Sequence, residues 1–458
     1  MSPETSPEFD SSKQEKFAHK EGAVSDINDS VAKLAKFGGF KIIEGSIKGT
    51  QNLNPESKAR KKIFLTDASK KAERETLKKT LQIWKELLSG SSDIAEMVAK
   101  SQSSADVASK TLKTNLKNAV KSTKEMEASY RSLQLFFKNT ESDKIKNLTI
   151  FNADLEQLKD LDNPTFFNEI AEQIKGGYDR MDLRENYSIL SIPGYLGSGA
   201  VVDKWAKMCH DNKVMLVTDF ENLENPDGVL DFFESSKLTG GEAHKSNVMM
   251  ACNWIVGRAK DMEIGEEDDV HVPPSSALAG NVYKTLMSQV AAGKKHGGLN
   301  EVSAVRFPMK KSEITSLEKA GLIPMVNEYG KVMAMSAKTL FTGDNLGLQT
   351  YSVVRVFDYV MKVLMDFLNR RAFENFDVNT KKDLQAQIEK WLDQITGPGK
   401  LIEKFKILKF QQDPNQKDRI FLDIHMTPYF PAKNFVISLD GQKGDDVDAN
   451  WKAEYKQQ

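Results

Sequence analysis

"YSILSIPGYLGSGAVVDKWAKMCHDNKVMLVTDF", residues 187 to 220, decides the fold. An apolar run, "YSILSIPG", is followed by the helical pattern "SGAVVDKWAKMCHDN" and then by a second apolar run, "VMLVTDF". Two runs of strand length separated by an amphipathic helix make a βαβ unit, whose strands lie side by side in a largely buried sheet. The pattern extends in both directions. Upstream, "NLTIFNA" (147–153) reads as a strand and "NPTFFNEIAEQIKGG" (163–177) as a helix, capped by Asn163 with Pro164 at its first position. Downstream, a helix near 227–235 leads to the apolar run "NVMMACNWIVG" (247–257), and "KAGLIPMVNEYGKVMAMSAKTL" (319–340) reads as a hairpin about a Tyr-Gly turn. The expected fold is α/β, a central mixed sheet flanked by helices.

Composition narrows the functional classes. With 458 residues the chain has room for two or three domains and a well-buried core. Charged residues make up 28% and apolar ones 40%, and the formal net charge is -1, so bulk charge points to neither nucleic acid nor anionic lipid. The charge is unevenly spread: residues 51–150 hold 20 Lys and Arg against 12 Asp and Glu, with one Trp and no Pro beyond Pro55, a composition of solvated helices. Cys209 and Cys252 stand in separate apolar stretches without a CxxC or Cys/His cluster, which suits buried thiols in a reducing compartment. "MSPETSPEFDSSKQEKF" has neither the basic nor the apolar region of a secretory signal, and no window approaches the roughly 20 apolar residues that span a bilayer. A cytoplasmic protein without membrane insertion is expected.

The character of the chain divides it into four segments. Residues 1–145 read as a helical amino-terminal region. In it "KKAERETLKKTLQIWKELLSG" (70–90) sets Leu77, Leu81, Trp84, Leu87 and Leu88 at helical spacing before Gly90. "NAVKSTKEMEASYRSLQLFF" (118–137) repeats the pattern more weakly between Ser-rich stretches, with a mobile tip. Residues 146–400 form the α/β body, ending in two helices, 351–371 and 379–401, the second capped by Asn379 and stopped at Gly397-Pro398. Residues 401–440 carry three strands, 405–410, 419–430 and 434–439; in the middle one Ile420, Leu422, Ile424 and Met426 share one face, with Phe421, Asp423, His425 and Thr427 on the other. Residues 441–458 read as an acidic tail.

The stretch that most invites a site is "VPPSSALAGNVYKTL" (272–286). It lacks the GxxxxGK[ST] order of a phosphate-binding loop, Lys284 comes too late to supply that motif's lysine, and no glycine stands two positions before Ser275 or Ser276 as a nucleophile elbow requires. Pro273, Pro274, Ser275 and Gly280 are therefore read as a packing motif, with Ser275 capping the helix and Ala277, Ala279 and Gly280 admitting a close neighbour. "LTGGEAHKSN" (238–247) and "GKKHGGL" (293–299) have glycines that let N–H groups converge on an anion, yet read best as exposed loops. His425 reads as half-buried, and His19, His210 and His271 have no acidic or Cys companions at metal-ligand spacing. Glu266, Glu267, Asp268 and Asp269 crowd one polar loop, read as solvated. These residues offer no catalytic constellation, no cofactor site and no metal site.

Several stretches occur in an order that resembles contractile tail sheath proteins. They are "FFNEIAEQI" (166–174) with "YDR" (178–180), "VPPSSALAG" (272–280), "VNEYGKVMAMSAKTL" (326–340), "YSVVRVFDYVMKVL" (351–364), "WLDQITGPGKL" (391–401) and "IFLDIHMTPYFPAKNFVISL" (420–439). The likeness covers about residues 140 to 440 and is greatest to the large sheath subunit of type VI secretion systems, in its Bacteroidetes form, a relative of phage tail sheaths. "MVNEYG" stands where sheath proteins commonly show an Asn-Pro-Ile pattern.

What the resemblance implies is a mechanical subunit and not an enzyme. It would pair with a small sheath subunit, polymerise with further copies of itself around an inner tube protein from a baseplate, contract to deliver effectors, and be dismantled by an AAA+ unfoldase. Phage-like or extracellular injection sheaths, and an α/β enzyme with an unrecognised site, are the alternatives. The amino-terminal region would bind partners, with "SSKQEKFAHK" (11–20) a helix for the unfoldase. A polymer that changes pitch needs links that survive rotation, and a strand donated to a neighbour's sheet provides them. The strands for such a shared sheet would present Phe405, Ile407, Leu408, Ile420, Leu422, Ile424, Met426, Phe435, Ile437 and Leu439. Lys381, Lys382, Glu389 and Lys390, on a charged helix face that reads equally well as solvated, are the candidate inner-tube contact.

Overall fold

The computed structural model describes residues 62–180, 182–433, 435–442 and 450–456. The chain divides into two compact units, Met1–Leu116 and Lys117–Gln458. The segment 11–20 and the other residues before 62 lie outside the described ones.

In the first unit, helix α1 (Lys71–Ser89) buries none of its residues, and Gly90 follows it at the C-cap. Helix α2 (Ile94–Asn139), whose residues from Lys117 onward belong to the second unit, runs unbroken through the Ser-rich stretch that the sequence separates from helix. Its hydroxyls do not compete for the helical backbone: Thr111 Oγ1 donates to the Val107 carbonyl at 2.8 Å and Thr114 Oγ1 to that of Lys110 at 2.9 Å, bonds compatible with a helix.

The second unit is built on a five-stranded sheet in the order β1-β2-β3-β6-β7. After α3 (Leu155–Lys159) and α4 (Thr165–Tyr178), strand β1 (Ile189–Tyr195), helix α5 (Gly199–Asp211) and strand β2 (Met215–Asp219) form the expected βαβ unit, and helix α6 (Pro226–Ser236) leads to β3 (Val248–Cys252). These strands are parallel, as is β6 (Ile323–Glu328), while β7 (Lys331–Ala334) returns antiparallel from it. The β6–β7 turn falls at Tyr329 and Gly330, both with positive φ, the geometry of a tight hairpin turn. Pro193 is tolerated because β1 is an edge strand, with a bulge between Ile192 and Tyr195 where Gly194 takes φ +100°.

Alternation along the strands divides the core. Leu216, Val248, Met250 and Cys252 face one cluster with Trp205, Phe233 and Leu317; Met215, Val217, Met249 and Ala251 face the other with Leu278 and Tyr351. A sheet covered on both faces explains why β2 and β3 are buried along their whole length, apolar throughout β3 and up to Val217 in β2. Strands β4 (Ile255–Arg258) and β5 (Val270–Val272) pair separately, followed by α7 (Ser275–Lys284), α8 (Gly293–His296) and α9 (Lys311–Ala320). Helix α10 (Tyr351–Arg370) joins the sheet core to a third cluster, shared with α11 (Val378–Gln394), β8 (Ile402–Gln412) and β9 (Ile420–Pro428). Strand β10 (Val436–Gln442) pairs antiparallel with β11 (Asn450–Lys456), a strand the sequence reading did not foresee in the acidic tail.

Four local expectations fail for identifiable reasons. Residues 147–153 form no strand; Thr149 bonds the Tyr187 hydroxyl at 2.7 Å, and side chains hold the segment where no ladder partner exists. The run 247–257 is two strands, because Asn253 turns the chain at φ 66° and its amide donates to the Phe307 and Met325 carbonyls at 2.9 and 2.8 Å. Asn163 bonds Thr165 Oγ1 instead of capping a backbone N–H of α4. Asp377, not Asn379, caps α11 by accepting from the Thr380 N–H at 2.8 Å.

Residues Ser275 to Val282 of α7 are all buried. A Cβ on Gly280 would lie 2.5 Å from the Phe136 carbonyl oxygen of α2, so only glycine permits this approach. Gly280→Val should lower unfolding stability by about 1–3 kcal/mol, read as a reduced urea midpoint at unchanged slope.

Candidate assembly interface

The 272–286 corner holds the chemistry most easily mistaken for a catalytic site. Ser275 is the first helical residue and not a cap. Its Oγ donates to Asp219 Oδ2 at 2.5 Å and its backbone N–H to Oδ1 at 2.8 Å, while the Gly194 N–H donates to Oδ2 at 2.9 Å. Both side chains are 0% exposed, so a substrate has no route to the hydroxyl. Burial pushes Asp219 up to about 7, against these hydrogen bonds, which pull it down. Pro274 precedes α7 in a helical conformation.

Other sequence candidates resolve into structure as well. The 238–247 segment is not an exposed loop: Lys245 is 3% exposed, with Nζ 2.5 Å from Asp203 Oδ1 and 2.7 Å from the Leu238 carbonyl. His210 meets Asn247 at 2.8 Å, and the Asn247 amide donates to Asp358 at 2.8 Å. In the acidic loop Glu266 is paired, not merely solvated: Arg258 donates to it at 2.7 and 2.8 Å and to Glu127 of α2 at 2.9 Å, and the Arg258 bonds hold Glu266 down to about 2. No group of three or more His, Cys, Asp or Glu suited to a metal occurs among the described residues. No described helix is long and apolar enough to cross a membrane.

The carboxyl-terminal strands differ from one another. β8 and β9 pair along their length, and Phe405, Ile407, Leu422, Ile424 and Met426 pack against the third core cluster beside α10 and α11. A register shift between Ile407 and Lys409 turns Leu408 outward, 62% exposed, and Ile420 at the strand's start is 41% exposed. On the described part of β10 and just before it the apolar side chains are uncovered: Phe435, Val436, Ile437 and Leu439 are 58, 60, 50 and 64% exposed. Successive residues of a strand point to opposite faces, so β10 shows apolar side chains on both. On α11, Leu384, Ile388 and Leu392 face the core while Lys382 and Lys390 are exposed and Lys381 and Glu389 half-buried. Arg371 ties Asp383 of this helix at 2.9 Å, and Gln385 bonds Glu389 at 2.8 Å.

The polar groups of the 272–286 and 238–247 segments serve the chain's own packing, and apolar side chains of β10 stand uncovered near the carboxyl end, features of a structural subunit. The family description "Type VI secretion system TssC/VipB, central domain" matches residues 118–342, the TssC/VipB-like C-terminal domain 350–457 and the TssC/VipB-like N-terminal region 27–116. The chain belongs to the TssC/VipB family and is a contractile sheath subunit of a type VI secretion system.

Among solved structures, the chain is similar to one of the anti-feeding prophage baseplate, at 18% identity and TM-score 0.47 over 69% of this chain and 80% of that one. The contracted anti-feeding prophage helical sheath matches at 17% identity and TM-score 0.46 over 69% and 81%. The contracted PVC sheath of an extracellular contractile injection system matches at 16% identity and TM-score 0.41 over 54% and 69%. A search of curated proteins finds no match.

The Asp219 pKa sits above the ordinary 3.8 of its side chain. The folded state therefore holds this proton more tightly than the unfolded chain, and the group's contribution to stability falls as pH rises from about 4 to about 7, then levels. Asp219→Asn removes that titration and sets an amide N–H against two donors. The variant should be less stable by about 1–3 kcal/mol at pH 4.5, with the gap to wild type narrowing by pH 7.5 in urea titrations.

Proposed function

We propose that this subunit pairs with a small sheath subunit in the cytoplasm, polymerises with further copies of itself around an inner tube from a baseplate, and works by contraction without catalysis or cofactor. An AAA+ unfoldase dismantles the contracted polymer. The observation that carries the assembly reading is β10, whose Val436, Ile437 and Leu439 are at least half exposed. Among the described residues β10 has β11 as its one ladder neighbour, and an open strand edge flanked by exposed apolar side chains is a template for pairing with another chain. Burying three such side chains at an interface contributes on the order of 5 kcal/mol before ordering costs.

The amino-terminal unit supports the same reading independently. Leu77, Leu81, Ile83 and Leu88 of α1 are 40, 46, 65 and 57% exposed, and Val107 and Leu112 of α2 are 62 and 68% exposed. Isolated helices are marginal in water and draw most of their stability from packing an apolar face. These faces fit helices of the small partner.

Deleting residues 431–458 should leave a folded α/β body, with the helix signal and cooperative unfolding of the intact chain, that forms no tubes when coexpressed with the small partner. Tubes of normal length in negative stain would refute the role of the tail. Lys381 and Lys382 carry the proposed inner-tube contact with Glu389 and Lys390. Lys381→Glu with Lys382→Glu should uncouple sheath length from tube length while sheath subunits still associate; unchanged co-assembly would mark this face as merely solvated.

A further inference from the structure

Lys284 at the end of α7, Lys294, Lys295 and His296 of α8, and Lys331 at the start of β7 line one cavity of about 380 Å³. None of the four lysines forms an ion pair among the described residues. Lys294 instead lies over the Tyr329 ring, its Nζ 5.3 Å from the centroid. One carboxylate, Glu141, lines the same cavity. Burial, then the charge of Lys295, hold His296 below its usual pKa, so it is neutral near pH 7 and leaves the charge to the lysines. Leu286, Gln289 and His296 also line an adjoining cavity of about 260 Å³, whose wall includes Val290, Tyr429 and Phe430 together with Lys400. The two make one groove, with four lysines at one end and mostly apolar side chains beside Lys400 at the other.

Four cations gathered with a single carboxylate repel one another, and the arrangement favours an anionic occupant. The apolar end makes a peptide that mixes acids with an apolar side chain a better fit than a free inorganic anion. This chain contains such a peptide. "KGDDVDA", residues 443–449, sets Asp445, Asp446 and Asp448 about Val447. The β10–β11 register runs to Gln442 opposite Asn450, so these residues join the two strands.

We propose that the acidic connection 443–449 of one copy docks in the lysine groove of a second copy, a contact between subunits separate from strand pairing. It rests on the assembly reading above.

The test uses the full chain coexpressed with the small partner, tube yield being measured by sedimentation and negative stain. Lys294→Glu with Lys295→Glu, and separately Asp445→Lys with Asp446→Lys, should each cut tube yield about tenfold while leaving the urea midpoint unchanged. Coexpressing the two variants should restore tubes, because each groove then meets a complementary connection only on the other copy. Restoration in the four-fold variant but not in the mixture places the contact within one copy and overturns the proposal. Undiminished yield from both variants, with inorganic tripolyphosphate bound by wild type and lost in the lysine variant, assigns the groove to a small polyanion and also overturns it. Should the glutamates unfold the chain, Lys294→Gln with Lys295→Gln must still reduce yield, or the proposal fails. Absence of tubes from wild type itself counts against the assembly reading, not against this contact.

Discussion

A carboxylate removed from water must be satisfied by whatever surrounds it, and Asp219 is satisfied by two separate elements at once. Its donors are the Gly194 N–H on the bulge of β1 and the N–H and hydroxyl of Ser275 at the start of α7. Separating either element would leave a buried polar group unpaired, a loss of several kcal/mol, so strand edge, central strand and helix move as one. The dependence continues outward. α7 fixes α2 through Gly280, and the Val282 carbonyl accepts from Arg355 of α10 at 3.2 Å, while the Tyr351 hydroxyl of α10 takes the Ala291 N–H at 2.7 Å. From α10 the order passes to α11 and the β8–β9 pair through the third cluster. A continuous set of buried bonds and apolar contacts thus runs from the sheet to the root of the carboxyl-terminal strands.

That dependence explains what the sequence could and could not reveal. The βαβ unit and the β6–β7 hairpin were legible because each is specified locally, the first by runs of apolar residues and the second by Tyr329-Gly330 at positive φ. The Ser275 cap, the exposed loop at Lys245 and the strand at 147–153 were misread because their outcome is set by residues far along the chain. Asp219 lies 56 positions from Ser275, and nothing near Ser275 announces it. Asn253 is a similar case, an apolar run broken by bonds to Phe307 and Met325. In the candidate assembly strands the residue types were readable but their allocation was not: the alternation of β9 is real, yet it serves the chain's own core, and a register shift in β8 decides that Leu408 faces out.

The order of the sheet bears on function too. Doubly wound proteins bind ligands where strand order reverses and two loops diverge. Here the order advances without reversal from β1 to β7, and the carboxyl end of β2 is occupied by the Asp219–Ser275 joint. The carboxyl end of this central strand is thus closed by a structural bond.

The proposed contacts involve parts of the chain that its own body leaves uncovered. The sheet core is buried on both faces and β8–β9 on one, whereas β10 buries neither face and α1 buries no residue. A two-stranded hairpin is marginal alone in water, so in the proposed polymer β10 and β11 would gain stability from a strand that extends their sheet. In the proposed polymer this asymmetry is mechanically useful. Strand ladders are held by backbone hydrogen bonds that travel with the joint, so bodies can rotate about them, while a body knitted by buried polar bonds resists deforming under the same load. A lattice change then costs about the difference between one set of surface contacts and another, and does not require any subunit to unfold.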